Sequence, residues 1–111
     1  MPVTEAAVKS FLEPMSQVRN ITSRKMFGGI GIYCDGIFFA VIDNDQLYFK
    51  VDDVNRPAYE AEGMPPWNVE GPNGGPMPYS QVPEGVLGNL EKLADWIDEA
   101  VEVAKRKKKK K

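Results

Sequence analysis

The sequence predicts an α+β fold of two layers, in which helices cover an antiparallel five-stranded sheet. Amphipathic helical patterns lie near the two ends of the chain, and short apolar strands separated by turn residues lie between them. The strands come in hairpin runs rather than in alternating β-α-β units, which favours an antiparallel sheet. The predicted order is α-β-β-β-α-β-β-α. With 111 residues the chain suffices for one domain with one core, and we place this domain at residues 1–104.

The first helix is predicted from residue 4 or 5 to about residue 18. Thr4 is a suitable N-cap. Apolar residues follow at helical spacing: Ala7, Val8, Phe11, Leu12, Met15 and Val18. Pro14 removes one backbone hydrogen bond, so we expect it either to end the helix near Glu13 or to kink it.

Three antiparallel strands are predicted between Arg24 and Asp52. Asp35-Gly36 is a strong signal for a two-residue hairpin turn. This turn sets the expected pairs: Cys34 with Ile37, Ile32 with Phe39 and Ile30 with Val41 on the core face, and Tyr33 with Phe38 and Gly31 with Ala40 on the other face.

The second turn contains Asp43-Asn44-Asp45, and we favour a three-residue loop there. That loop would place Leu47, Phe49 and Val51 on the core face. Tyr48 and Lys50 would then lie on the opposite face.

A short helix and a second hairpin follow. In residues 51–63, Asp52 and Asp53 are candidate caps, Pro57 suits a first turn, and Gly63 suits the helix end. Residues 67–69 and 77–82 flank a loop rich in glycine and proline and are predicted as paired strands. Pro78 cannot donate to a ladder, which indicates an edge strand.

The last helix is the longest, and Asn89 is its predicted N-cap. Its apolar stripe consists of Leu90, Leu93, Ile97, Ala100, Val101 and Ala104. Lys105 and Arg106 suit its C-terminus, because cations are favourable there.

The charges divide the chain into two parts. Seven of the 14 basic residues form the run 105–111, which leaves seven basic and 16 acidic residues, a net charge of −9, in residues 1–104. The run is expected to be a disordered tail that binds nucleic acid weakly and without sequence preference. No stretch is long enough to span a membrane, and no signal peptide is evident, so we expect a cytoplasmic protein without membrane contact.

Few groups in the sequence suit catalysis. There is no histidine, and the single cysteine, Cys34, is expected to pack as a small hydrophobe. The glycines of residues 28–31 run into a strand, whereas a phosphate loop needs a helix after it. Asp43-Asn44-Asp45 lacks the glycine of a calcium loop. We therefore predict no catalytic residue, no cofactor and no metal site.

Several motifs resemble those of the TfoX/Sxy family of bacterial competence regulators. They are Arg24-Lys25-Met26-Phe27-Gly28-Gly29-Ile30-Gly31-Ile32-Tyr33, Asp35-Gly36 with Phe39-Ala40, Leu47-Tyr48-Phe49-Lys50-Val51-Asp52, Arg56-Pro57, and Gly63-Met64-Pro65-Pro66-Trp67. The resemblance is to the N-terminal domain and implies an α+β domain of secretion-chaperone type, without enzyme activity. Longer members carry a second, helical domain, and this sequence ends where that domain would begin, so the competence role itself is in question.

The expected function is that of a non-enzymatic regulatory or adaptor domain that binds a protein partner, with a homodimer as one form. The candidate partner-binding residues are Arg24, Lys25, Tyr33, Phe38, Tyr48, Lys50 and Arg56. The three aromatic residues lie on the sheet face that three helices would leave uncovered. For the charged residues, ion pairs with Asp52, Asp53 or Glu60 are the alternative role. The alternative function is an accessory module that binds nucleic acid or a small ligand.

Overall fold

The computed structural model describes residues 3–26, 29–69 and 75–109. The helices are α1 (Glu5–Val18), α2 (Arg56–Ala61), α3 (Glu84–Leu87) and α4 (Leu90–Lys109). The strands are β1 (Ile21–Met26), β2 (Gly29–Cys34), β3 (Ile37–Asp43), β4 (Gln46–Lys50), β5 (Pro66–Val69) and β6 (Gly75–Gln81). The strands form one antiparallel sheet in the order β1-β2-β3-β4-β6-β5. The α+β class is confirmed, but this sheet has six strands where we predicted five.

The additional strand arises because the segment that we predicted as one strand is a hairpin. β1 pairs with β2 from Met26 opposite Gly29 to Ile21 opposite Cys34. Ile21–Met26 and Gly29–Cys34 are therefore two antiparallel strands where we predicted one. Gly28 itself lies outside the described residues.

The turn between β2 and β3 is the two-residue turn that we predicted. Asp35 and Gly36 have φ of 51° and 82°. The pairs that adjoin the turn, Tyr33 with Phe38 and Cys34 with Ile37, are also confirmed.

Farther from this turn the predicted register is wrong, because β3 contains a bulge. Ile32 pairs with Ala40 rather than with Phe39, and the register shift lies between Ile32 and Tyr33. The extra residue is Phe39, which is fully buried against Phe49 with the ring centroids 5.3 Å apart. Since a bulge moves all later residues to the other face, Ile42 takes the core position that we predicted for Val41.

The turn between β3 and β4 has two residues rather than the predicted three. Asp43 pairs with Gln46, and both Asn44 (φ 53°) and Asp45 (φ 59°) have the left-handed conformation of a type I′ turn. Leu47 and Phe49 nevertheless face the core as predicted. The bulge in β3 and the shorter loop each shift the register by one residue, and their effects on the face of β4 cancel.

The prediction of an edge strand from Pro78 is wrong. Pro78 belongs to β6, which lies between β4 and β5. The β5–β6 register is irregular between Pro66 and Asn68, and a bulge of this kind is where an interior strand tolerates proline. The Pro78 carbonyl still accepts a hydrogen bond from Val51 N at 2.9 Å.

The first helix continues through its proline. Thr4 caps it as predicted, since its hydroxyl accepts a hydrogen bond from Ala7 N at 3.2 Å. An end near Glu13 is wrong, because α1 continues to Val18 and thereby buries Met15 completely in the core.

The second helix starts later than the predicted caps. Its N-cap residue is Asn55, and Pro57 lies in the first turn as predicted. Neither aspartate caps the helix: Asp52 accepts a hydrogen bond from Val54 N at 2.9 Å in the preceding turn, and Asp53 forms an ion pair with Arg56. Gly63 (φ 72°) ends the helix region as predicted, in a Schellman motif.

The last helix follows a short helix, α3, that we did not predict. Asn89 is the N-cap of α4, and its Oδ1 accepts hydrogen bonds from Glu91 N and Lys92 N at 3.1 and 3.2 Å. The predicted stripe is wrong at Leu90, which is 43% exposed, and it omitted Val103, which is buried. α4 includes Lys105 and Arg106 as predicted and continues to Lys109, so residues 107–109 are helical where we expected a disordered tail. Lysine and arginine are good helix formers and are favourable at a helix C-terminus.

One hydrophobic core joins the helices to the sheet. All four helices contribute to it: Met15 of α1, Tyr59 of α2, Val86 of α3, and Leu93, Ile97, Ala100 and Val101 of α4. The sheet contributes Ile32, Cys34, Phe39, Ala40, Ile42, Leu47 and Phe49. The four helices therefore cover the same face of the sheet. Within the described ranges, no helix combines the length and the apolarity that crossing a membrane requires.

Candidate functional site

The candidate site is the face of the sheet opposite the core, which we call the outer face. Direct cross-strand pairing puts its residues on one side: Thr22, Arg24, Gly31, Tyr33, Phe38, Val41, Tyr48, Lys50, Tyr79 and Gln81. No helix among the described residues covers this face, since the four helices share the core on the other side.

Five aromatic rings from five strands form a continuous aromatic cluster on the outer face. Tyr33 contacts Phe38, Phe38 contacts Tyr79, Tyr79 contacts Trp67, and Trp67 contacts Tyr48. The centroid separations along this series are 5.3, 6.1, 5.6 and 6.2 Å, within the range of attractive ring pairs. Tyr79 at the centre is buried, whereas the other four rings are partly exposed. The cluster thus packs against itself and still presents apolar surface to solvent.

Polar contacts fix the orientation of these rings. Trp67 Nε1 donates a hydrogen bond to Asp43 Oδ2 at 2.8 Å. Lys50 Nζ donates to the Tyr79 hydroxyl at 3.3 Å and lies 4.7 Å from the centroid of that ring. Burial raises the pKa of Tyr79 to about 12, and burial together with Asp43 raises the pKa of Tyr48. Both phenols are therefore neutral at physiological pH.

The structure brings together five of the seven residues that we predicted as partner-binding. Arg24, Tyr33, Phe38, Tyr48 and Lys50 share the outer face. Trp67 and Tyr79 belong to the same cluster, and sequence analysis missed them.

The other two predicted residues lie elsewhere. Lys25 is on the core side of β1, where it lines a groove beside α1. Arg56 is in α2, and its Nη1 lies 2.7 Å from Asp53 Oδ1, which is one of the alternative ion pairs. Both side chains of this pair are more than one third exposed, so its contribution to stability is small.

Groups of catalytic or metal-binding type do not gather in the described parts of the chain. Cys34 is 5% exposed and belongs to the core, and burial followed by the nearby Asp35 raises the pKa of its thiol. No cluster of three or more cysteine, aspartate or glutamate side chains that could hold a metal ion occurs among residues 3–26, 29–69 and 75–109.

These features define a small α+β domain with helices on one face of its sheet and an uncovered aromatic cluster on the other. A family model, that of the TfoX N-terminal domain, matches residues 13–104, from within α1 to the last turns of α4. The match covers most of the chain, and the protein therefore belongs to the TfoX N-terminal domain family. A comparison with curated proteins finds no match.

Proposed function

We propose that this protein is a non-enzymatic regulatory or adaptor domain of the competence-regulator type, and that it acts by binding a partner protein through the outer face. The observation that carries the proposal is the aromatic cluster. Aromatic residues are enriched in the centres of protein interfaces, and a contiguous apolar patch on a protein surface marks an interaction site.

The chemistry of the outer face indicates what the partner surface is like. Tyr33, Phe38, Tyr48 and Trp67 offer partly exposed rings, and the Tyr48 hydroxyl, whose pKa burial raises, is a neutral donor and acceptor. Arg24 and Lys50 add two cations, although the surrounding residues 1–104 carry a net charge of −9. A partner with an apolar centre and carboxylates at its rim complements this face.

The test uses the double variant Tyr33→Ser with Tyr48→Ser. Both rings lie at the ends of the aromatic cluster, so their removal takes apolar surface from the outer face and leaves the core residues intact. Val54→Ser is the matched control, because Val54 is 73% exposed and lies outside the sheet, in the turn before α2. Proteins captured from the native host by each form are identified by mass spectrometry, and purified candidates are then titrated directly.

The proposal expects a purified protein that binds the unmodified domain and the Val54→Ser control alike, and that binds the double variant at least about tenfold more weakly, since interface aromatics are frequent hot spots. Sedimentation velocity over a range of concentrations shows whether a second copy of the chain occupies the face. If no protein, including a second copy, distinguishes the double variant from the control, the outer face is not the binding surface.

The nucleic-acid alternative rests on the same cluster, because aromatic side chains on an antiparallel sheet can stack unpaired bases and Arg24 and Lys50 can contact phosphates. The net charge of −9 in residues 1–104 opposes it. Titration of a labelled single-stranded oligonucleotide with the same three forms distinguishes the two functions. Tight binding that the double variant loses would favour nucleic acid over a protein partner.

A further inference from the structure

Among the described strands, β1 lies at an edge of the sheet with β2 as its only neighbour, so one of its sides is open to a further strand. It has six residues and contains no proline. The other edge strand, β5, has four residues and begins with a proline. An edge strand presents a row of backbone N–H and C=O groups that an extended peptide can pair with.

A groove runs beside this edge, between α1 and the sheet, with a volume of ≈ 850 Å³. Its apolar lining residues are Val3, Val8, Leu12 and Ile30. Its charged lining residues are Glu5, Lys9 and Glu13 of α1, and Lys25 of β1. The volume is in the range of sites that hold ligands of moderate size. Lys25, near the C-terminal end of β1, pairs with Ile30 of β2, and both residues line the groove. The groove therefore lies over this end of β1.

We propose that the open edge of β1 and this groove together bind an extended segment of a partner protein, in which acidic and apolar residues alternate. The segment adds to the sheet as a further strand next to β1. Because side chains alternate along a strand, the residues on its core side reach the groove while its backbone pairs with β1.

Charge selects the occupant. Arg24 and Lys25 are consecutive exposed residues of β1 that point to opposite faces, and neither has an ion pair with a described residue. In a segment whose acidic and apolar residues alternate, all the acidic side chains lie on one face. When the apolar side chains lie on the core side, the acidic ones lie across from Arg24 on the outer side, and such pairs are favourable. The described charged residues that line the groove are two carboxylates and two ammonium groups, which balance. The groove therefore suits the apolar side chains of the segment, and Arg24 is the cation that favours its acidic ones.

The same cations exclude a second copy as the occupant. Two chains paired along β1 would bring two arginines and two lysines to a single seam, and like charges on neighbouring strands are destabilising. This binding site is on the core side and edge of the sheet, so it neither rests on the proposed outer-face function nor shares its tyrosines.

The probe is a short fluorescein-labelled peptide of alternating glutamate and valine, titrated by fluorescence anisotropy at low and at physiological salt. Two further peptides carry N-methyl groups on alternate residues, in the two possible phases. Each N-methyl group removes one backbone hydrogen-bond donor, and in only one of the two peptides do the methylated positions face β1. We expect one methylated peptide to lose at least about tenfold in affinity and the other to bind as the parent does, since several backbone hydrogen bonds are removed together.

The variant Arg24→Glu is compared with Lys92→Glu, which makes the same charge change at an exposed position in the first turn of α4. We expect Arg24→Glu to weaken binding about three- to tenfold, because an attractive cross-strand pair becomes repulsive, and Lys92→Glu to have no such effect. Hydrogen exchange of the β1 amides should slow in the complex. Three results would each overturn the proposal: the two methylated peptides bind with equal affinity, the two variants have equal effects, or the parent peptide does not bind. Binding that Tyr33→Ser with Tyr48→Ser abolishes would move the site to the outer face.

Discussion

Replacing Tyr59 by phenylalanine should stabilise the protein. Tyr59 is 1% exposed, and its hydroxyl has no hydrogen-bond partner among the described residues. Burial, and secondarily Glu99, raise the pKa of this phenol, so the buried group is the neutral hydroxyl. The ring contacts Trp96 at 4.6 Å between centroids, and phenylalanine keeps this contact.

The magnitude follows from two opposing effects. An unpaired buried hydroxyl costs about 1–3 kcal/mol in mutational series. Its removal leaves a void of roughly 15 Å³, which at about 24 cal/mol per Å³ costs roughly 0.4 kcal/mol. Tyr59→Phe should therefore raise the free energy of unfolding by about 1–2 kcal/mol, which for a chain of this size corresponds to a Tm higher by about 5 °C or more.

Urea and thermal unfolding followed by circular dichroism measure this change. Tyr79→Phe is the matched control, because it removes the same atom from a hydroxyl that Lys50 does contact, at 3.3 Å. That variant should lose about 0.5–1.5 kcal/mol, since it removes a formed hydrogen bond. A loss of stability in Tyr59→Phe comparable with that of the control would refute the reasoning, because it would mean that the Tyr59 hydroxyl is satisfied, for example by an internal water.

Two further predictions concern the ion pairs of α4 and its basic end. Arg19 donates two hydrogen bonds to Asp98, at 2.6 and 2.7 Å, and the pair lowers the pKa of this carboxyl. The stabilisation by this ion pair is therefore complete above the pKa of the carboxyl in the unfolded chain, about 4, and disappears as the pH falls through its lower pKa in the folded protein. Asp98→Asn should lower the free energy of unfolding by about 0.5–1 kcal/mol in urea at neutral pH, and this difference should vanish in strong acid. Truncation after Ala104 removes Arg106, whose Nη2 lies 2.9 Å from Asp52, and should cost about 0.5–1 kcal/mol while abolishing weak, salt-sensitive binding to duplex DNA. If the truncated chain still binds one duplex sequence tightly at physiological salt, the folded part binds DNA sequence-specifically and the prediction is wrong.

The Asp35-Gly36 turn was the part of the sheet that the sequence predicted best, and the registers away from this turn were the least predictable. Asp35-Gly36 favours positive φ at both positions, so the pairs beside it followed directly. The bulge at Phe39 has no comparable local signal, because Phe39, Ala40, Val41 and Ile42 are all apolar and either register buries apolar side chains. Where every residue of a strand suits the core, alternation cannot fix the register, and the packing of the whole sheet decides it.

The two predictions that were based on prolines were wrong for a similar reason. Pro14 and Pro78 each remove one backbone donor, and from the sequence this predicts a helix end and an edge strand. In the structure α1 continues because its following turn buries Met15, and β6 remains interior because an irregular register surrounds its proline. A proline inside a helix costs about 3 kcal/mol, because its ring also clashes with the preceding turn, and burial of Met15, which contributes about 1.5–3 kcal/mol, offsets most of this cost. In β6 the loss is one hydrogen bond, of about 1 kcal/mol.

The candidate site was predictable where period-two alternation held. Tyr33, Phe38 and Tyr48 lie beside the two tight hairpins, which place them on the outer face. Trp67 and Tyr79 come from the second hairpin, whose position next to β4 is a long-range pairing that no local pattern encodes. Lys25 differs from Arg24 by a single position, and this alone puts the two cations on opposite faces of β1.

The aromatic residues of the outer face have two roles: some are buried and stabilise the sheet, and others are partly exposed and available to a partner. Val41 and Tyr79 are buried on the side of the sheet that no described helix covers, so neighbouring side chains of that face must shield them from water. The rings around Tyr79 provide this shield, and the same rings are the surface that remains available to a partner. Substitution at the centre of the cluster therefore affects stability first, whereas substitution at its ends, Tyr33 and Tyr48, removes binding surface at lower cost to the fold. This gradient from centre to ends is why the double variant of the end residues tests binding rather than folding.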